Sequence, residues 1–319
     1  MSSKEKYRAL CEQEFSIPLF NQAWWLDSTV GDDVWDVVLL EEHGEVVAAM
    51  PYVLKSRYGF KIISQPILTQ SLGPWLRPSD AKYARQLGLQ KKRIQALLAN
   101  LPEFDHFQQS WHSSVTNWLP AYWMGYKQST RYTYVIPDIS DLDATLLSFD
   151  SSYRNKIRKA EKVVRVRRGL SIEKFFEINA LTFLRQNIEI PYSFEFLSRH
   201  DAILAERGRR QIFYAEDEDG QIHSALYLTW DALSSYVHMV GEDPGLRNSG
   251  AGILLIWEAI KYTADILKLN RFDFEGSMLE SVEPVRRDCG GVQVPYFSIT
   301  KTPSRILRTA FFLRDLRGK

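Results

Sequence analysis

Apolar and polar positions alternate in two stretches of the chain that share one layout. Trp35 to Tyr52 reads as a strand, an acidic turn around Gly44 and a second strand; Gln211 to Tyr227 reads the same way around Gly220. One such hairpin is common, but two of them about half a chain length apart predict two copies of one domain. Helical spacing covers residues 4–14, 21–29 and 80–99, and 253–269 reads as a long, almost wholly apolar helix. Phe104 to Gln108, Ser234 to Val240, Arg271 to Glu275 and Val292 to Lys301 read as strands, and 280–289 as a short helix. Hairpins followed by strand–loop–helix–strand predict an α/β (α+β) protein of mixed, mainly antiparallel sheets flanked by helices. The expected division is an N-terminal domain over 1–150 and a C-terminal domain over 151–319, opened by a basic linking helix at 151–168.

Composition narrows the partners more than the fold. The chain has 319 residues, 45% hydrophobic and 25% charged, which excludes a disordered tail or a disulfide scaffold. With 40 Lys and Arg against 39 Asp and Glu, net charge predicts no polyanion partner, so any basic site is local. Cys11 and Cys289 stand far apart and read as reduced thiols. A charged N-terminus and the lack of a long apolar run give an expectation of a cytoplasmic protein without a membrane span. The His and Cys residues show no metal-ligand spacing, so no metal is expected. The stretch Arg305 to Arg317 interleaves apolar residues with arginines. It reads either as a terminal helix docked on its own domain or as a peripheral membrane contact.

Two stretches carry candidate binding chemistry. Arg247-Asn-Ser-Gly250-Ala251-Gly252 opens the apolar helix. Its glycines let backbone approach a ligand, the first helical turn has unpaired N–H groups, and Arg247 adds a cation, so a diphosphate is the natural guest. The plain alternative is a glycine-rich turn into a buried helix. Between Arg154 and Arg168, Arg154, Lys156 and Arg158 belong to a run opposed only by Glu161. That run reads either as a phosphate-binding face or as a solvated helix.

Strand, Arg-x-x-Gly-x-Gly, helix and strand together resemble the acyl-CoA-binding segment of the GNAT acyltransferase superfamily. The chain further resembles the Fem-type peptidoglycan bridge-forming aminoacyltransferases, which carry two tandem GNAT-like domains. Tyr153-Arg-Asn-Lys-Ile-Arg-Lys-Ala160, Phe272-Asp-Phe-Glu-Gly-Ser277 and Arg286-Arg-Asp-Cys-Gly-Gly291 carry that likeness, with Val285, Arg286 and Cys289 standing where the family pattern has Phe, Lys and Phe. The resemblance implies acyl transfer from acetyl-CoA or another acyl-CoA, or from an aminoacyl-tRNA, to an amine of a cell-envelope or polysaccharide precursor, either a small molecule or nucleotide-sugar-linked. It implies that the backbone at Val240 and Gly241 meets the donor arm, and that Arg247, Gly250, Ala251 and Gly252 hold its anionic end. Glu275 is the expected proton acceptor, Arg286 the cation at the oxyanion, His238 a further catalytic candidate, and Arg154, Lys156, Arg158 and Tyr227 the acceptor-binding set. The alternative reading is a non-catalytic GNAT-like module that has lost its donor site. The oligomeric state is not legible.

Overall fold

The structure, a computed structural model, describes residues 1–276 and 278–317. In chain order the first half contains α1 (Ser3–Gln13), α2 (Ala23–Val30), β1 (Trp35–Glu42), β2 (Glu45–Arg57), β3 (Phe60–Ile63) and β4 (Trp75–Leu76). Then come α3 (Tyr83–Ala99), β5 (His106–Trp111), α4 (Leu119–Trp123), β6 (Lys127–Ile136), α5 (Leu142–Ser148), α6 (Ser151–Ala160) and β7 (Arg165–Arg168). The remainder is α7 (Ile172–Arg185), α8 (Phe194–Glu206), β8 (Arg210–Glu216), β9 (Ile222–Trp230), β10 (Ser235–Glu242), α9 (Ala251–Asp265), β11 (Phe272–Asp273), α10 (Glu283–Asp288), β12 (Val292–Lys301) and α11 (Arg305–Arg317).

Two compact units result: Met1–Arg131 with Pro295–Lys319, and Tyr132–Val294. The division therefore differs from a single cut at 150/151. Pairing explains it. Phe297 to Lys301 of β12 pair antiparallel with β5, while Ile136 pairs with Phe272 and Phe149 is buried in the core around α9. The basic segment is also not one helix, since α6 stops at Ala160 and Arg165–Arg168 form β7 on the edge of β8.

In the first unit the strand order is β1–β2–β3–β5–β12, with β4 on β2, and β3–β5 is a parallel pair. Alternation sorts its side chains to two faces. Val37 and Ala49 pack with Tyr7 and Leu26 of α1 and α2, whereas Val38, Ala48 and Met50 pack with Ile94 and Leu97 of α3. The turn between β1 and β2 is made by His43 and Gly44, both at positive φ.

In the second unit the order is β6–β11–β10–β9–β8–β7. The helix α9 buries eight residues, among them Leu254, Leu255 and Ile260, against Phe213, Leu226 and Leu228 of β8 and β9. Being apolar nearly all round, it sits between the sheet and α6 rather than on the surface. The other face carries α7 and α8, where Phe175 meets Tyr227 edge-on at 5.6 Å. In both units an antiparallel hairpin feeds a third strand, then a crossover helix, then a strand parallel to that third one.

Candidate functional site

The second unit opens where β11 stops. This strand pairs with β10 only at Ser235–Phe272 and Tyr236–Asp273. At Glu275 the backbone then turns into the left-handed region, φ 46°. Beyond Tyr236 the edge of β10 diverges from the returning chain, leaving a cavity of about 540 Å³. His238 and Val240 of β10, Thr182 of α7, Gly250 and Gly252 at the start of α9, and Arg286 of α10 are among its lining residues.

One end of this cavity holds coupled charges. The pairing of β9 with β10 slips by one residue between Val237 and Met239, a bulge that re-aims His238. Its Nδ1 lies 2.9 Å from Oε1 of Glu275. Arg286 donates from Nη2 to the Glu275 carbonyl at 3.1 Å and from Nη1 to the Val282 carbonyl at 3.3 Å. Burial raises the pKa of Glu275, against the opposing pull of His238 and Arg286. Burial also lowers that of Arg286, less its attraction to Glu275 and Asp273. Beneath them Asp273 is fully buried and pushed up to about 6 by desolvation; its Oδ1 accepts from the Thr133 hydroxyl at 2.6 Å and the Glu275 N–H at 2.9 Å. Gly276 is required here, because a Cβ would run into the Tyr132 carbonyl. Ser277, part of the strand-end motif, lies outside the described residues.

The other end is the entrance to α9. Gly250 caps the helix at φ 79°, and a Cβ there would come within 3.0 Å of the Lys156 carbonyl. A Cβ on Gly252 would meet Oε1 of Glu242 at 3.2 Å. Glu242 thus brings a carboxylate to the helix entrance, bonded to Nε of Arg247 at 2.9 Å and facing Nη1 of Arg185 at 3.5 Å. Its pKa is raised by burial and pulled back by the two arginines. The outer edge of β10 is engaged by α7: Asn179 donates to the Val240 carbonyl at 2.9 Å, and the Glu242 N–H donates to the Thr182 hydroxyl at 3.0 Å. Gly241 is pressed so closely on α7 that a Cβ would sit 2.6 Å from the Asn179 nitrogen.

The structure thus brings Glu275, His238 and Arg286 together, and sets Val240, Arg247, Gly250 and Gly252 on the same cavity. It corrects several expectations. The Val240 carbonyl and the Gly241 face are taken by α7, and Ala251 is buried in the helix. His238 lines the cavity, although its side chain is only 1% exposed against 13% for Glu275. Tyr227 is fully buried with its hydroxyl bonded to Asp201 at 2.8 Å, away from any acceptor. Of the basic set, Lys156 lines the cavity, its Nζ 4.3 Å from the Tyr153 ring centre. Arg154 instead holds the carbonyls of Leu147 and Phe149, and Arg158 bonds the exposed Asn155. At about 100° per residue, positions two apart on a helix face nearly opposite ways, which splits Lys156 from Arg154 and Arg158. Glu242, Asp273 and the α7 residues Asn179, Thr182 and Arg185 were not singled out from sequence. Asn179 and Thr182, polar and one helical turn apart among apolar neighbours, and an Asp between Phe272 and Phe274, are the signals for them.

Residues 148–280 match the family described as "Acetyltransferase (GNAT) domain". Over that stretch the chain is similar to a GNAT domain. Among solved structures, "Crystal structure of FemX" is similar at TM-score 0.68 and 14% identity over 93% of this chain and 96% of that one. A "Tandem GNAT protein from the clavulanic acid biosynthesis pathway (without AcCoA)" is similar at TM-score 0.51 and 11% identity, over 94% of each chain. "The structure of L-PGS from Bacillus licheniformis" follows at TM-score 0.53 and 11% identity, over 99% of this chain and 97% of that one. No curated protein matches in sequence. These likenesses give the chain the tandem GNAT fold of the Fem type. At the level of the family the chemistry is N-acyl transfer, and GNAT domains generally use acyl-CoA. Among the described residues no helix is long and apolar enough to cross a membrane.

Proposed function

We propose that the GNAT domain of the second unit moves an acyl group from an acyl-CoA to an amine of a cell-envelope or polysaccharide precursor. One observation carries this reading. A single cavity runs from the glycines that open α9 to His238 and Arg286, with Glu275 bonded to both of those residues. An anion-binding helix end on the same space as the two residues that bond Glu275 supports the reading of Glu275 as the proton acceptor.

The residues divide the work as follows. The acceptor arrives as an ammonium and must lose a proton before its nitrogen attacks the donor carbonyl. Glu275, its pKa raised by burial, accepts that proton. His238 donates Nδ1–H to the carboxylate and fixes its direction. As the new C–N bond forms, negative charge gathers on the carbonyl oxygen, and the Arg286 guanidinium on the cavity wall opposes it. The bond from carbonyl carbon to the leaving sulfur then breaks; of the two protons the ammonium nitrogen loses on becoming an amide, one goes to the thiolate and the other leaves Glu275 for solvent. Lys156, at the cavity wall, is a cation available to a phosphate on either substrate.

A specific observation favours a second donor. The Glu242 carboxylate stands at the helix entrance and already engages Arg247 and Arg185, which suits a diphosphate poorly. An aminoacyl-tRNA, whose reacting end bears an ammonium, suits it better. The test is a thiol-release assay with acetyl-CoA and a panel of amines, run beside consumption of charged tRNA. Thiol release that depends on an amine supports the first reading, and deacylation of tRNA alone moves the assignment to the second. Turnover of neither donor, with no heat on titrating coenzyme A, would leave a GNAT-like module without chemistry.

A further inference from the structure

The helix α11 carries two apolar stripes rather than one. Leu307 and Phe311, one turn apart, are half-buried, and the Phe311 ring stands 5.0 Å from His106 of β5. This inner stripe seats the helix on the first unit. Ile306, Phe312, Leu313 and Leu316 are instead 70%, 63%, 49% and 58% exposed. At about 100° per residue they fall in an arc of roughly 120° whose centre lies opposite Leu307 and Phe311. The docked-helix expectation is therefore met by one face and not by the other.

We propose that α11 is a membrane-surface docking element, which lays this outer stripe into the interface of a bilayer containing anionic lipid. Scattered apolar residues on a surface carry no meaning, but four on one helix face, interrupted there by Arg305 and Thr309, form a patch that does. Its charge selects the occupant. Arg305 is exposed within this arc and Arg308 beside it, while Arg314 stacks over Phe311 on the inner side and bonds Asp315, the one acidic residue of the helix. Arginines at the rim of an apolar stripe keep their heads at the phosphate level while the stripe enters the acyl boundary, the arrangement of interfacial helices. A fluid surface also tolerates the loose shape of four flexible side chains, which a tightly packed protein partner would not. Among the described residues no helix is long and apolar enough to span, and the contact proposed is peripheral. This inference is independent of the donor and of the catalytic reading.

The experiment is co-sedimentation of the full chain with vesicles of phosphatidylcholine alone and of phosphatidylcholine mixed equally with phosphatidylglycerol. The expected result is about tenfold more pelleted protein with the mixed vesicles, falling as salt rises. A triple substitution Ile306→Ser, Leu313→Ser and Leu316→Ser removes the pelleting with melting temperature little changed, since these side chains are about half or more exposed. Arg305→Gln with Arg308→Gln lowers it on the mixed vesicles only. Negligible pelleting of the native chain on both vesicles would overturn the proposal, as would a triple variant that pellets like the native chain. So would a dimer in sedimentation velocity that the triple substitution dissociates, because the stripe would then belong to a second copy.

Discussion

The two units run the same strand order through different side chains, and the difference locates the chemistry. In each, a strand returns from the crossover helix to pair in parallel, at Ile62–His106 in the first unit and Ser235–Phe272 in the second. The next residue is Phe107 in one and Asp273 in the other, both buried. Three residues past the first pair stand Gln109 and Glu275. Gln109 donates to the Pro51 carbonyl at 3.0 Å, and the indole of Trp111 closes on Gly73. The first unit therefore finishes its return strand with neutral, space-filling groups. The second finishes it with two carboxylates, one of them on a residue bonded to His238 and Arg286 at a cavity wall. A shared scaffold supports a site only where burial of charge is tolerated, and here one copy accepts that cost.

The comparison breaks most sharply at Glu275. The change Glu275→Gln gives the second unit the side chain that the first already has. With Glu275 as proton acceptor, kcat falls by about 10²–10⁴-fold, the usual worth of a positioned base. The hydrogen bond from His238 survives, because an amide oxygen also accepts, so the fold is kept. Steady-state rates with circular dichroism on the same sample check this, and a rate within a few-fold of the native one ends the role of Glu275.

Next in size is the buried carboxylate. The folded-state pKa of Asp273 is about 6 against an ordinary 3.8, so the folded protein holds this proton more tightly than the unfolded chain. Its contribution to stability is fully present at low pH and is lost as pH rises from about 4 through about 6. The loss is on the order of 3 kcal/mol, as about two pK units require. Asp273→Asn keeps an oxygen for Thr133 and the Glu275 amide while removing the titration. Melting temperature measured across that pH interval flattens, and the variant melts higher at neutral pH. An unchanged slope would show that Asp273 is not the titrating group.

How much of this was legible in sequence follows from the same residues. Both hairpins were readable because period-two alternation brackets Gly44 and Gly220, and α9 because an unbroken apolar run follows Gly250-Ala-Gly252. Glu275, His238 and Arg286 were singled out one at a time. Their meeting was not readable, since it depends on the one-residue slip at His238 and on the positive φ of Glu275, which are set by tertiary pairing. The same limit hid Asn179 and Thr182, whose partners stand about 60 positions further along the chain. The C-terminal arrangement was hidden too, because Phe297 to Lys301 find their partner strand almost 200 residues upstream.

A smaller effect separates His238 from Glu275. Hydrogen bonding and charge from His238 hold the Glu275 pKa below where burial alone would set it. His238→Gln therefore moves the acid limb of kcat upward, by up to about one pH unit, and lowers the plateau by about tenfold. A role confined to packing would lower stability and leave the limb in place.

The smallest expected effect bears on the donor. The helix entrances of the two units differ in charge as well as in glycine. In the first unit α3 begins after Lys82 with no acid in its first turn, whereas Glu242 brings a carboxylate to Gly252 in the second. An internal carboxylate at that place competes with a ligand anion for Arg247 and Arg185. Glu242→Gln releases both guanidiniums and removes the repulsion, so coenzyme A binds a few-fold to about tenfold more tightly by calorimetry, worth roughly 1 kcal/mol. The gain in the variant is largest above the raised pKa of Glu242, where the native residue is charged, and shrinks as pH falls and protonation does the same work. If affinity instead drops, the carboxylate is holding the two arginines in the geometry that the ligand needs. If it stays level while charged tRNA loses affinity, Glu242 is reading a cation on the donor, and the helix entrance has been turned from an anion site into a site for an amino acid.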